Sequence, residues 1–147
     1  MKRRKAGTTK RKSAKKRNLG RYKSNLEKTC ADLLSESGLP FDYEKGVYHK
    51  MTAKKKDLTD RSNSVVLPIR YTPDFVAKDR SWIIETKGYT PSHHDFPMRW
   101  KLFLKHVAEL GEPLPMLFIC KNRQQIQQAI EIIKKDGKGD NKRGTRR

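Results

Sequence analysis

The sequence predicts an α/β domain, a small mixed β-sheet flanked by helices. Three observations predict it. Tyr71-Thr72-Pro73-Asp74-Phe75-Val76 and Trp82-Ile83-Ile84-Glu85-Thr86-Lys87-Gly88 are rich in β-branched and aromatic residues, and the polar stretch Ala77-Lys78-Asp79-Arg80-Ser81 joins them as in a β-hairpin. From Trp82 to Cys120 the pattern is strand, helix, strand, the right-handed crossover that joins parallel strands. Apolar stripes at helical spacing lie on either side of this unit, around Leu33 and around Ile126.

In chain order, residues 1–20 are Lys, Arg, Gly, Thr and Ser with almost nothing apolar, and read as a disordered basic arm. Ser24-Asn25-Leu26-Glu27 fits a capping box and opens a helix whose buried stripe is Leu26, Cys30, Leu33 and Leu34, with Gly38 as its stop. Phe41-Asp42-Tyr43-Glu44 alternates as a strand that Val47-Tyr48 would continue. After the polar, basic stretch from Lys50 to Ser64, Val65–Ile69 reads as an edge strand or a linker, because Pro68 cannot donate to a ladder.

Beyond the hairpin, Tyr89–Pro97 reads as a loop, and its adjacent His93 and His94 as solvent-exposed rather than metal-ligating. A helix follows with Trp100, Phe103, Leu104, Val107 and Leu110 along one side, then a strand Met116–Cys120 apolar enough to be covered on both faces. Asn122 caps a last helix with Ile126, Ala129 or Ile130, and Ile133 inside. The expected organisation is a basic arm (1–20), one folded domain (21–133) with a bridge or linker near 47–68, and a basic flexible tail (134–147).

The formal charge of +19 points to a polyanionic partner, nucleic acid above all. Residues 1–23 hold twelve Lys or Arg and no acid, and residues 134–147 hold seven basic and two acidic residues, which leaves +2 on the stretch between. The body is close to balanced, and the tails attract phosphates without reading bases. Candidate DNA contacts are Lys2, Arg3, Arg4, Lys15, Lys16, Arg17, Arg21, the run Lys54, Lys55 and Lys56, and Arg99. Two cysteines, Cys30 and Cys120, both in apolar contexts, form no zinc motif and read as buried free thiols of a reducing compartment. The expectation is a cytoplasmic, DNA-associated protein with no membrane segment, in the host cell cytoplasm if phage-encoded.

The chemistry concentrates in the hairpin. Alternation along a strand puts Ile83, Glu85 and Lys87 on one face, and pairing of the two strands brings Asp74 toward Glu85. Two converging carboxylates repel unless a cation sits between them, and a hard divalent ion with oxygen ligands is the usual answer. Lys87 beside them can orient or deprotonate a water or offset charge on a phosphate. An exposed, salt-bridged hairpin is the plainer reading, and the residues alone leave both open. Glu27, at the edge of its helical stripe, is either a solvated capping acid or a carboxylate leaning toward Asp74 and Glu85.

Asp74 with Glu85-Thr86-Lys87, preceded by Pro73, matches the PD-(D/E)xK nuclease pattern. Together with Tyr71-Thr72-Pro73-Asp74-Phe75, Ile84-Glu85-Thr86-Lys87-Gly88 and Ser24-Asn25-Leu26-Glu27, it resembles the bacteriophage endonuclease I family, which resolves four-way (Holliday) DNA junctions. The resemblance covers roughly residues 20–120. It implies a restriction-endonuclease-like fold in a domain-swapped homodimer, with the Val47–Pro68 region as the exchanged bridge and Glu27 supplied across it. It implies Glu27, Asp74, Glu85 and Lys87 as catalytic residues, and Asp74, Glu85, Glu27 and the Thr86 carbonyl as ligands to one or two Mg²⁺, for which Mn²⁺ can substitute. The implied reaction is hydrolysis of branched double-stranded DNA to 5′-phosphate and 3′-hydroxyl ends. The stretch between Tyr48 and Tyr71 is longer and more basic than the family bridge, and the part after Cys120 is shorter. The alternatives are a restriction-like, mismatch or general branched-DNA nuclease of the same superfamily, and a non-catalytic basic nucleic-acid-binding protein.

Overall fold

A computed structural model of the chain describes residues 18–45, 49–50, 67–88, 94–111 and 113–139. The first helix, α1 (Asn25–Glu36), starts where Ser24 Oγ accepts a hydrogen bond from the Glu27 amide at 3.1 Å. It ends in a Schellman turn: Leu39 N donates to the Leu34 carbonyl and Gly38 N to that of Ser35, with Gly38 at φ 68°. Leu39 then folds back onto the apolar core.

Among the described residues six short strands follow: β1 (Phe41–Tyr43), β2 (His49–Lys50), β3 (Arg70–Tyr71), β4 (Phe75–Ala77), β5 (Trp82–Thr86) and β6 (Met116–Cys120). Helix α2 (Phe96–Glu109) bridges β5 to β6, and α3 (Arg123–Gly139) closes the described chain. The main sheet has the order β1-β4-β5-β6, with β1/β4 and β4/β5 antiparallel and β5/β6 parallel. It is a mixed sheet flanked by helices. Strands β2 and β3 form a separate two-stranded ladder.

Alternation divides the core. Phe75 and Ala77 of β4 and Trp82 and Ile84 of β5 pack with Cys30, Leu34, Ile126 and Ile130, so α1 and α3 cover one face. Val76 and Ile83 pack with Trp100, Phe103 and Val107, so α2 covers the other. Covered on both sides, every residue of β4 and β5 is buried.

Several expectations are corrected. The first half of the hairpin is not one strand: Tyr71 closes β3 in the second sheet, and Thr72 and Pro73 break the ladder before β4. Residues 67–69 are outside any strand, and Leu67 is exposed. Among the described strands β6 lies at the sheet edge, so its face is only partly covered and Ile119 is exposed. Leu110 falls just past the last turn of α2 and points outward. Helix α3 runs on to Gly139, past the Ile133 at which the folded domain was expected to end. Among the described residues no helix is long and apolar enough to cross a membrane.

Burial predicts where the sheet is vulnerable. Ile84→Ala, in the centre of β5 and fully buried, is expected to cost about 3 kcal/mol of unfolding free energy, whereas Ile132→Ala on the exposed side of α3 stays within about 0.5 kcal/mol. Urea unfolding of the two variants checks this, and equal midpoints would contradict the layering.

Candidate functional site

The β4/β5 pairing places Phe75 opposite Ile84 and Val76 opposite Ile83. One step further along this register, Asp74 lies against Glu85 and Thr86. Asp74 Oδ2 accepts hydrogen bonds from the Thr86 amide at 2.8 Å and from Thr86 Oγ1 at 2.6 Å, and the Asp74 amide donates to Glu85 Oε2 at 3.3 Å. Oδ1 of Asp74 and Oε1 of Glu85 take part in none of these three bonds. The ladder continues past β5, since Lys87 N donates to the Cys120 carbonyl at 2.9 Å. The Lys87 ammonium lies 4.1 Å from the centre of the Phe96 ring at the start of α2.

Both hairpin acids sit where ionisation is costly. Burial raises the pKa of Asp74, the two Thr86 donors work against that rise, and the charges of Glu27 and Glu44 add to it. Glu85 is pushed up to about 7, first by burial and then by Asp74, with Tyr71, the Asp74 amide and Lys87 opposing. The Tyr71 hydroxyl is itself buried and finds no partner at full hydrogen-bond geometry, although it lies close enough to Glu85 to temper this rise. Stacking on Phe103 at 4.6 Å and an edge contact with Trp100 hold its ring.

Glu27 is not a solvated capping acid. It is buried, and its Oε2 accepts from the Lys23 amide at 2.8 Å and from the Tyr43 hydroxyl. The helix-opening bond thus reaches back to Lys23 instead of closing on Ser24. Within one chain the charge of Glu27 acts on Asp74. The exchanged arrangement runs through residues 47–68, of which only 49–50 and 67–68 are described.

Glu44 is a residue that the sequence reading took for ordinary strand. Its backbone is left-handed at φ 42°, its amide donates to the Asp74 carbonyl at 3.0 Å, and its carboxylate pairs with Lys23. A non-glycine residue in that conformation is strained backbone, which the bond to the Asp74 carbonyl holds in place. No sequence signal short of tertiary contacts would find it, because Phe-Asp-Tyr-Glu reads as simple alternation.

Glu85, Lys87 and Glu44 open onto a cleft of about 460 Å³ that Lys23, Arg70 and Arg99 also line, whereas Asp74 and Glu27 are not among its lining residues. Among the described residues no three His, Cys, Asp or Glu side chains come together as a ready metal cluster. What they do offer is two neighbouring carboxylates, a half-buried Asp74 and a buried Glu85, each with an oxygen outside the bonds between them. That suits Mg²⁺, which commonly takes one or two carboxylates and completes its shell with water and phosphate oxygens. Burial is the first cause that raises both acids, and the neighbouring negative charge that adds to it is the charge such an ion would offset.

The predicted DNA contacts divide. Lys2, Arg3, Arg4, Lys15, Lys16, Arg17, Lys54, Lys55 and Lys56 lie outside the described residues. Arg21 is exposed and lies over the Tyr22 and Tyr43 rings, at 5.4 and 5.8 Å. Arg99 is also exposed, and its guanidinium donates to the Arg70 carbonyl at 3.0 Å and approaches Asp95 at 3.4 Å. His94 is exposed, and His93 is outside the described residues. No protein-family model, curated protein or solved structure matches this chain at a significant level.

The raised Glu85 predicts a pH dependence of stability in metal-free protein. The folded chain holds the Glu85 proton up to about pH 7, whereas an unfolded glutamate releases it near 4.5. Between these values the folded state binds more protons, so stability falls as pH rises, by on the order of 3 kcal/mol, and levels off above 7. Glu85→Gln flattens this slope, and urea midpoints between pH 4.5 and 8 in chelator measure it; an unchanged slope would contradict the assignment.

Proposed function

We propose that this chain is a Mg²⁺-dependent endodeoxyribonuclease of the PD-(D/E)xK type that resolves four-way DNA junctions, acting as a homodimer with a restriction-endonuclease-like core. The observation that carries the reading is the hairpin end, where Glu85 and Lys87 line one cleft and the Asp74 amide is bonded to the Glu85 carboxylate. A structural protein has no need to bury Glu85 beside a second acid there. The order helix, strands, hairpin, crossover helix and parallel strand supports the same reading.

Asp74 and Glu85, with the Thr86 carbonyl and Glu27, are the groups that would hold one or two Mg²⁺. A bound ion supplies Lewis-acid stabilisation of the phosphate and lowers the pKa of water. The chain's own residues do the rest. Thr86 fixes the Asp74 carboxylate through two donors, so its remaining oxygen is presented in one orientation. Tyr43 and the Lys23 amide do the same for Glu27.

Lys87, whose ammonium can only donate hydrogen bonds, orients the attacking water and offsets charge on the phosphate oxygens. Water adds to phosphorus, the bond to the 3′ oxygen breaks, and that oxygen leaves as a hydroxyl. The products are a 5′-phosphate and a 3′-hydroxyl. The body carries few groups that read bases, so selectivity comes from DNA shape and branching, and the basic arm and tail supply salt-dependent affinity.

Wild type and Lys87→Ala are to be compared on an immobile four-way junction and a matched linear duplex, with Mg²⁺ and with chelator. The expected result is junction cleavage that requires Mg²⁺ and falls at least about 100-fold in the variant, while junction binding changes little. Cleavage indifferent to Lys87→Ala sinks the catalytic assignment. Equal cutting of the linear duplex sinks only the junction preference, in favour of a general nuclease of the superfamily. DNA binding with no cleavage under any condition favours a non-catalytic binding protein.

A further inference from the structure

The cleft beside Glu85 and Lys87 is bordered by four cationic side chains, Lys23, Arg70, Lys87 and Arg99, and their commitments differ. Lys23 is paired with Glu44. Arg99 has one guanidinium nitrogen on the Arg70 carbonyl and another near Asp95. Lys87 rests on the Phe96 ring. Neither Lys87 nor Arg70 makes a side-chain hydrogen bond or ion pair with the described residues, but Arg70, exposed and lining the same cleft, also lacks the ring contact that Lys87 has.

Its backbone, in contrast, is held from three directions. The Arg70 carbonyl accepts from Arg99, the residue pairs with Lys50 in the β2/β3 ladder, and the next residue, Tyr71, is buried against Trp100 and Phe103. An arginine with an anchored backbone and an uncommitted guanidinium loses little backbone freedom on meeting an anion. Its planar fork matches the two non-bridging oxygens of a phosphodiester.

We propose that Arg70 is a phosphate-binding residue of the cleft, engaging a phosphodiester next to the one cut, and that Arg99 positions it by holding the β3 carbonyl. This rests on the nuclease reading above. It exchanges the roles that sequence position alone suggests, since Arg99 is the arginine that stands out on its helix, while Arg70 precedes the Tyr-Thr-Pro-Asp stretch without comment.

The test measures binding of full-length wild type, Arg70→Ala, Arg70→Lys and Arg99→Ala to the immobile four-way junction in chelator, as a function of salt. Single-turnover cleavage in Mg²⁺ follows at limiting and saturating protein. Arg70→Ala is expected to weaken binding about tenfold and to lower the slope of log affinity against log salt by about one, with the rate at saturation changed far less than by Lys87→Ala. Arg70→Lys restores the salt slope and only part of the affinity, because it keeps the charge and loses the fork. Arg99→Ala keeps the slope near that of wild type and loses thermal stability.

A folded Arg70→Ala protein with the wild-type affinity and salt slope overturns the proposal while leaving the nuclease reading intact. The roles are also overturned if Arg99→Ala, and not Arg70→Ala, lowers the slope. Absence of both junction binding and cleavage in the wild type overturns the two together.

Discussion

Two neighbouring carboxylates at one end of a hairpin, one buried and one half-buried, constrain everything built around them. Burial raises the cost of ionising both Asp74 and Glu85, and the charge of Asp74 adds to the cost at Glu85. The fold tolerates them because their geometry is fixed by the least deformable part of the molecule. β4 and β5 are buried on both faces, and the pairing of Phe75 with Ile84 leaves no slack in where Asp74 falls. A slip of one residue would turn Glu85 and Lys87 to the opposite face. The packing of α1 and α3 on one side and α2 on the other therefore serves the register as much as stability.

Around this pair the chain spends further polar groups on orientation. Thr86 gives both its amide and its hydroxyl to a single Asp74 oxygen, and Tyr43 with the Lys23 amide does the equivalent for Glu27. Glu44 accepts a left-handed backbone in order to place its amide on the Asp74 carbonyl. Each of these contacts fixes an acid without neutralising it. Negative charge is thus concentrated and aimed, and the cationic side chains Lys23, Arg70, Lys87 and Arg99 stand at the border of the cleft.

Much of this could be read in the sequence where it depended on periodicity. The alternation in Trp82–Lys87 placed Glu85 and Lys87 on one face, the turn residues after Ala77 brought Asp74 back to them, and the spacing of Cys30, Leu33 and Leu34 gave the helix that carries Glu27. Periodicity could not say that Thr72 and Pro73 interrupt the strand, because Tyr71 is as good a strand residue as Phe75; its removal to a second sheet follows from its packing on Phe103. Nor could it separate Arg99 from Arg70, since both are arginines beside apolar residues and only the tertiary neighbours decide which is occupied. The apolar run of β6 looked doubly covered because hydrophobicity records what a strand tolerates, whereas its place at the sheet edge is a property of the topology.

The turn that closes the hairpin lies at the opposite end of β4 and β5 from the acids. There Asp79 accepts from the Ser81 amide and hydroxyl, and Arg80 sits at φ 64° in the exposed bend. The same two strands that lock the carboxylates in place also hold this bend a full strand length away from them. The hairpin therefore separates a heritable constraint from a tolerant outlet. Variation in loop length, or an attached reporter group, can be accommodated at the bend, while at the acid end even a change of register is forbidden.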